Sequence, residues 1–260
     1  MVTSYPSQRK VTVMEVHNPL GARVGDLSWL EVEARINGGA VALLPVGAGS
    51  KQHGLHLPMA SDCLQAQWLA ERVAMLTNVL IWPTLAYGYY PAFVEYPGSV
   101  SLRRETFQAL AQEILAELLR WGARRVVVLN TGVSTIEPLR GAIRGVDVDA
   151  RVRLANVYQG PHYLAAVAET REQPRGGHAD EAETSIMLVV APEKVAMRLA
   201  RPCCDRPMTA GPLRRQDPTA ANFSPDGVYG NPSLATQAKG ERLARAIIED
   251  LLEAVGGGTE

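Results

Sequence analysis

The sequence predicts an α/β fold, a three-layer α/β/α sandwich around a mostly parallel sheet. Apolar runs alternate along the chain with amphipathic stretches, the pattern of successive βα units. The first strong run, Ala40–Val46, is apolar without interruption. A strand covered on both faces reads that way, whereas a half-exposed strand alternates. With 260 residues, 47% of them hydrophobic, the chain is long enough for one large core, so residues 1–260 are expected to form a single domain.

The elements follow in order. Ala40–Val46 is the first expected strand, closed by Pro45-Val46-Gly47. Ser61–Met75 is expected as a helix, with Leu64, Trp68, Leu69 and Val73 near helical spacing and Ser61 or Asp62 at its start. Val79–Thr84 is a second strand. Arg104–Trp121 carries the clearest helical stripe, Phe107, Leu110, Ala111, Ile114, Leu118 and Leu119, and Gly122 stops it. Arg125–Leu129 is a buried strand left through the turn Asn130-Thr131-Gly132, and Arg153–Tyr158 is a further strand. Asp180–Val190 is a helix entered from the loop Gly176-Gly177-His178. Residues 201–232, rich in Pro and Gly, form a long irregular loop; Leu234–Val255 is a C-terminal helix, and Gly256-Gly257-Gly258 a frayed tail.

Composition excludes several functions. A net charge of -1 gives no electrostatic footprint for nucleic acid or an anionic membrane, which leaves small molecules or proteins as the expected partners. The opening Met1-Val2-Thr3-Ser4-Tyr5-Pro6 lacks a basic segment followed by an apolar run, and no apolar stretch approaches the roughly 20 residues that span a bilayer. Three cysteines, Cys63, Cys203 and Cys204, suit reduced thiols in the cytoplasm. Neither a Gly-x-Ser-x-Gly elbow nor a Walker-type phosphate loop is present.

Chemistry concentrates after the first strand, in Gly47-Ala48-Gly49-Ser50-Lys51-Gln52-His53-Gly54-Leu55-His56-Leu57-Pro58 followed by Asp62. In open α/β sheets, ligands bind just past the carboxyl ends of strands. Two histidines and an aspartate there suit a transition metal; spacing alone equally allows loop packing by His56 and a simple hydrogen bond by His53. This segment resembles the hallmark of the creatininase (creatinine amidohydrolase) family, Gly-Ser-x-Glu-Gln-His-Gly-Pro-His-Leu-Pro with an Asp nine residues after the first His. It matches at Ser50, Gln52, His53, Gly54, His56, Leu57, Pro58 and Asp62. Three more segments resemble that family in the same order: Pro97-Gly98-Ser99-Val100-Ser101-Leu102, His178-Ala179-Asp180-Glu181-Ala182-Glu183-Thr184-Ser185, and Pro225–Pro232 with Ala235-Thr236 and Lys239-Gly240. The likeness runs over roughly residues 30–250.

The resemblance implies two metal ions bridged by the position of Asp62. It also implies that half of this site is rewritten here. One metal's private ligands are a Glu, where this chain has Lys51, and a His of an Asn-Gly-His-Gly-Gly-Asn turn, where it has Gly132. The other metal's expected ligands, His53, Asp62 and Glu183, are present. One divalent ion is therefore expected, zinc first, with manganese or iron accepted by the same donors, or else none. Lys51 would replace cationic charge and help hold an oxyanion, His178 would carry protons, and Glu181 joins them as a candidate catalytic residue. Glu181 and Glu183 are two residues apart and cannot point the same way on a helix.

Other candidates are weaker. His56, Ser134 and Tyr96 are expected against substrate, with plain packing or turn bonding the bland reading of each. Tyr87, Tyr89, Tyr90, Phe93 and Tyr96 could wall a pocket or meet another subunit, with plain core packing an equal reading. His162, Tyr163 and Thr135 are minor candidates, and His17 reads as a surface residue. The expected activity is hydrolysis of a cyclic amide or related C–N bond in a small molecule, by a homo-oligomer, a hexamer by analogy with the family. The alternatives are a binding or scaffold protein, or other carbonyl chemistry through Lys51.

Overall fold

The computed structural model describes residues 20–146, 151–203, 207 and 211–257; His17, Cys204, Gly258 and the opening six residues, discussed above, lie outside them. Five parallel strands form one sheet: β1 (Ala22–Arg23), β2 (Val41–Val46), β3 (Val79–Ile81), β4 (Val126–Asn130) and β5 (Val152–Asn156), in the order β1-β3-β2-β4-β5. Among the described residues, seven α-helices connect and cover them: α1 (Trp29–Asn37), α2 (Ser61–Leu76), α3 (Arg104–Arg120), α4 (Ile136–Arg144), α5 (Pro161–Thr170), α6 (Glu181–Val190) and α7 (Gln237–Gly256).

Alternate residues of the central strands face opposite layers. Leu43, Val127 and Leu129 pack with Leu69 and Val73 of α2, Ile186 of α6, and Leu243 and Ile247 of α7. Leu44, Val126 and Val128 pack on the other face with Phe107 and Leu115 of α3 and Leu139 of α4. Both faces are thus buried, as the unbroken apolar run of β2 predicts. Register brings strand ends level, with Val46 opposite Asn130 and Asn130 opposite Asn156. The loops leaving β2, β4 and β5 therefore share one edge of the sheet.

The structure corrects several boundaries and adds elements. Helix α1 is entered through a capping box in which Ser28 accepts from Glu31 N while the Glu31 carboxylate accepts from Ser28 N. Helix α4 carries Pro138 and Gly141, which mask its apolar period; Pro138 lies in the first turn, where no intrahelical partner for an N–H is lost. Helix α5 begins on Pro161, and Asp250 of α7 accepts its first free N–H groups, those of His162 and Tyr163, at 3.0 Å each. Strand β3 ends at Ile81 rather than Thr84, shortly before Pro83. Helix α7 begins at Gln237 rather than Leu234: Pro232–Leu234 is a 3-10 turn and the Thr236 hydroxyl caps Lys239 N. Gly256 lies within α7 and Gly257, at φ 78°, ends it, so both belong to a helix end and not to a frayed tail.

Candidate metal centre

The site grows from the ends of β2 and β4. At Gly47 a side-chain carbon would come within 2.4 Å of the Asp62 carbonyl oxygen, so only glycine lets the chain leave β2 this close to the start of α2. The Thr131 hydroxyl, just past β4, bonds the carbonyls of Val46 and Asp62, 3.1 Å from each. Asp62 is thereby fixed in the first turn of α2, fully buried. Its Oδ2 lies 2.7 Å from the Lys51 ammonium and its Oδ1 2.9 Å from His53 Nε2. From the far side, the loop before α6 brings His178, and Asp180 caps α6 through Ala182 N and Glu183 N. Ala179 holds a left-handed φ of 48°, costly for a residue with a side chain, and its N–H donates to Glu183 Oε2.

Both histidines are oriented by backbone carbonyls of the same loop. His53 Nδ1 lies 2.9 Å from Lys51 O, and His178 Nε2 lies 3.0 Å from Gln52 O. His53, with Nδ1–H given to the carbonyl, turns Nε2 toward Asp62 Oδ1, so that on losing the Nε2 proton it can share an ion with that carboxylate, the usual arrangement of metal-binding histidine. His178 Nε2 also lies 3.1 Å from Gln52 Nε2. His53, His178 and Glu183 each offer one donor atom, all within 4.8 Å of one another. His53 Nε2 and Asp62 Oδ1 are also close enough to serve one ion. Two imidazoles and carboxylate oxygens suit zinc, manganese or iron, so the residues present fit a single divalent metal.

Burial and charge set the protonation of the group. Burial opposes ionisation of Asp62, but Lys51 and then His53 outweigh it and hold its carboxyl below the usual range. Burial raises Glu183 to about 7, against the pull of His53 and Lys51. His178 is driven well below its ordinary value by burial, then by Lys51 and His53, so it stands neutral.

The other expected residues fall in different places. Glu181 is buried on another side of α6, where its carboxylate accepts from Glu172 N and Gln173 N and pairs with Lys239. This commits it to holding the 172–173 turn against α7 and leaves the expected catalytic role without a geometric basis. His56 is buried, with Nε2 2.8 Å from the Thr184 hydroxyl, tying the loop to α6 rather than lining an opening. The Tyr96 hydroxyl donates to Ser224 O, and its ring packs with Ala48, Tyr90, Phe93 and Leu213. Ser134 is half-buried in the turn between β4 and α4. That turn is closed by its own side chains: Asn130 Oδ1 accepts from Gly132 N and the Thr135 hydroxyl, and Asn130 Nδ2 donates to Gly132 O and Asn156 Oδ1. A side chain at Gly132 would start 2.6 Å from the Thr135 hydroxyl. His162 pairs with Glu253 of α7, away from the site. Gln52, Thr131 and Thr184 are site supports that sequence reading did not single out as such; Gln52 was visible only as part of the hallmark run.

An open parallel α/β sheet with a His–His–carboxylate cup past its strand ends defines a class: an α/β protein built around a candidate metal centre. The particular family follows from comparison. The creatinine amidohydrolase family model matches residues 25–255, and the chain belongs to the creatininase family. It is 30% identical over 251 residues to creatinine amidohydrolase of Pseudomonas putida, covering 89% of this chain and 95% of that one. It is 29% identical over 228 residues to a mycofactocin precursor peptide peptidase of Mycobacterium ulcerans, covering 82% and 83%. A solved structure titled as the manganese form of creatininase superposes with a TM-score of 0.73 at 27% identity, covering 90% of this chain and 97% of that one. Among the described residues, no helix is long and apolar enough to cross a membrane.

Proposed function

We propose that this chain is a cytoplasmic, single-domain hydrolase of a cyclic amide or related C–N bond in a small molecule, working with one divalent metal. The observation that carries this reading is the Lys51 ammonium seated on Asp62 beside an intact His53–Glu183 donor pair. His53 and Glu183 are the essential ligands, with Asp62 Oδ1, 2.9 Å from His53 Nε2, as the third; His178, the other donor of the cluster, is kept for proton transfer. The ion, zinc in first place, supplies Lewis acidity to a carbonyl group.

The remaining work falls to the chain itself. Lys51 has three N–H donors and Asp62 engages one, so two can hold a carbonyl oxygen as negative charge develops on it. Neutral His178 accepts a proton from the attacking water and returns it to the departing nitrogen. Burial of Lys51, His53, Asp62, His178 and Glu183 excludes bulk water and strengthens these interactions. The Lys51 nitrogen is held against Asp62 at 2.7 Å rather than left free to attack a carbonyl, which argues against Schiff-base chemistry.

Metal analysis of protein purified without chelator tests the reading. One ion per chain is expected, lost in His53→Ala and Glu183→Ala but kept in His178→Ala, which loses turnover. Two full-occupancy ions per chain would overturn it.

A further inference from the structure

Lys51, His53, Asp62 and His178 are all buried, yet a hydrolase must admit substrate to them. One side chain covers two of the four. The Phe93 ring centre lies 4.4 Å from that of His178 and 4.9 Å from the Lys51 ammonium, and the residue keeps 8% of its own surface in solvent. Phe93 thus packs against both groups assigned to oxyanion and proton handling, with the Tyr90 ring also 5.7 Å from the Lys51 ammonium.

The segment around it is fastened at several points. Tyr90 N donates to the Ser101 hydroxyl oxygen at 2.9 Å and Leu213 N to Ala92 O at 2.8 Å. Glu95 pairs with Arg214 and accepts from Arg215 N at 2.9 Å, and the Tyr96 hydroxyl donates to Ser224 O. Moving the segment would break these bonds together, whereas turning one ring breaks none of them.

The geometry points to Phe93 as the specificity-determining gate of this site, its ring turning off Lys51 and His178 to admit substrate and returning to exclude water. The inference deepens the function proposed above and rests on it for what passes the gate. An opening one aromatic ring wide admits a small, flat molecule such as a five- or six-membered cyclic amide and turns away a folded or extended peptide.

The test is carbethoxylation of chelator-treated protein with diethylpyrocarbonate, read by peptide mass spectrometry. His162, half-exposed on α5, serves as internal reference for His178. If the native ring opens as a minor state of about a tenth of the molecules, Phe93→Ala should raise the His178-to-His162 labelling ratio about tenfold. Phe93→Leu should raise it less, and Arg214→Gln should leave it at the native value. A native ratio in both Phe93 variants overturns the gate, as does a rise in Arg214→Gln equal to that in Phe93→Ala, which would make the segment the moving part. Should Phe93→Ala unfold, shown by equal labelling of His53 and His56, the Phe93→Leu ratio decides. Metal content, measured separately on untreated protein, separates failure of the gate from failure of the metal reading.

Discussion

At the residue scale, the centre turns on the exchange of a carboxylate for an ammonium at position 51. If one dication is lost together with the carboxylate that held it, and a lysine is gained, the net charge of the site is unchanged. On the one-metal reading proposed above, Lys51 balances Asp62 in place of a second ion, the two lying 2.7 Å apart. Lys51→Met should keep the fold but lose about tenfold to a hundredfold in turnover, the worth of one charge-assisted hydrogen bond of about 1.5–3 kcal/mol. It should also destabilise the metal-free protein by about 3 kcal/mol, because Asp62 is left buried with His53 as its remaining partner. Chemical denaturation with and without metal separates the two effects, and unchanged turnover would make the lysine a bystander. The importance of position 51 was legible in the sequence because a recognisable motif departs there. The division of labour between Glu181 and Glu183 was not, since it depends on Lys239, 58 residues away from Glu181.

At the element scale, the hallmark loop is locked to α6 by the contact of His56 with Thr184. Burial, then the nearby His53, lowers His56 to about 4. Its ordinary value is 6.5, so above that pH the ring is neutral in both folded and unfolded chains and its contribution is fully present. Below 6.5 the unfolded chain takes up a proton that the folded chain refuses, and stability falls until the folded ring protonates near 4. His56→Gln should therefore flatten urea-measured stability between pH 6.5 and 4, by up to about 1.4 kcal/mol per pH unit; a slope equal to the native one would show that His56 does not titrate there. The β4–α4 turn makes a second prediction. Because a side chain at Gly132 meets the Thr135 hydroxyl at 2.6 Å, Gly132→Ala should cost about 1–3 kcal/mol, seen as a lowered Tm. The same crowding implies that Gly132→His restores no second metal site. Strands and long helices were readable from continuous apolarity and the 3.6-residue stripe. Helix α1 was not, although its Ser28–Glu31 capping box was in plain view, because its apolar face is short and only Ile36 is buried.

At the scale of the whole molecule, the sheet order β1-β3-β2-β4-β5 has no local signature, since it depends on which strands find each other across long connections. The site depends on the same long-range event, because its residues reach one place only when β2, α2 and α6 are packed together. The finished surface still exposes large apolar residues at many points of the sequence, Leu20, Leu55, Trp121, Val133 and Leu164 among them, and two groups lie close together along the chain. Tyr87, Val94 and Val100 are exposed on the loops that carry Phe93 and Tyr96, while Trp29 and Leu30 stand exposed at the start of α1. Isolated exposed apolar residues are ordinary, but large aromatics at 57% for Tyr87 and 72% for Trp29 are costly on a lone chain. With a net charge of -1, little long-range repulsion keeps copies apart. The chain should therefore assemble with itself, as a hexamer by family analogy, through contacts that are mainly apolar. Light scattering at micromolar concentration should give a mass of several chains, and raising the salt should not lower it, because apolar contacts are not screened as charge pairs are. Tyr87→Glu together with Val94→Glu should shift the population toward smaller species while Tm, measured on the isolated smaller species, stays close to that of the native monomeric fold. A single-chain mass for the unmodified protein would end this reading, and dissociation by salt alone would assign the interface to charge pairs instead.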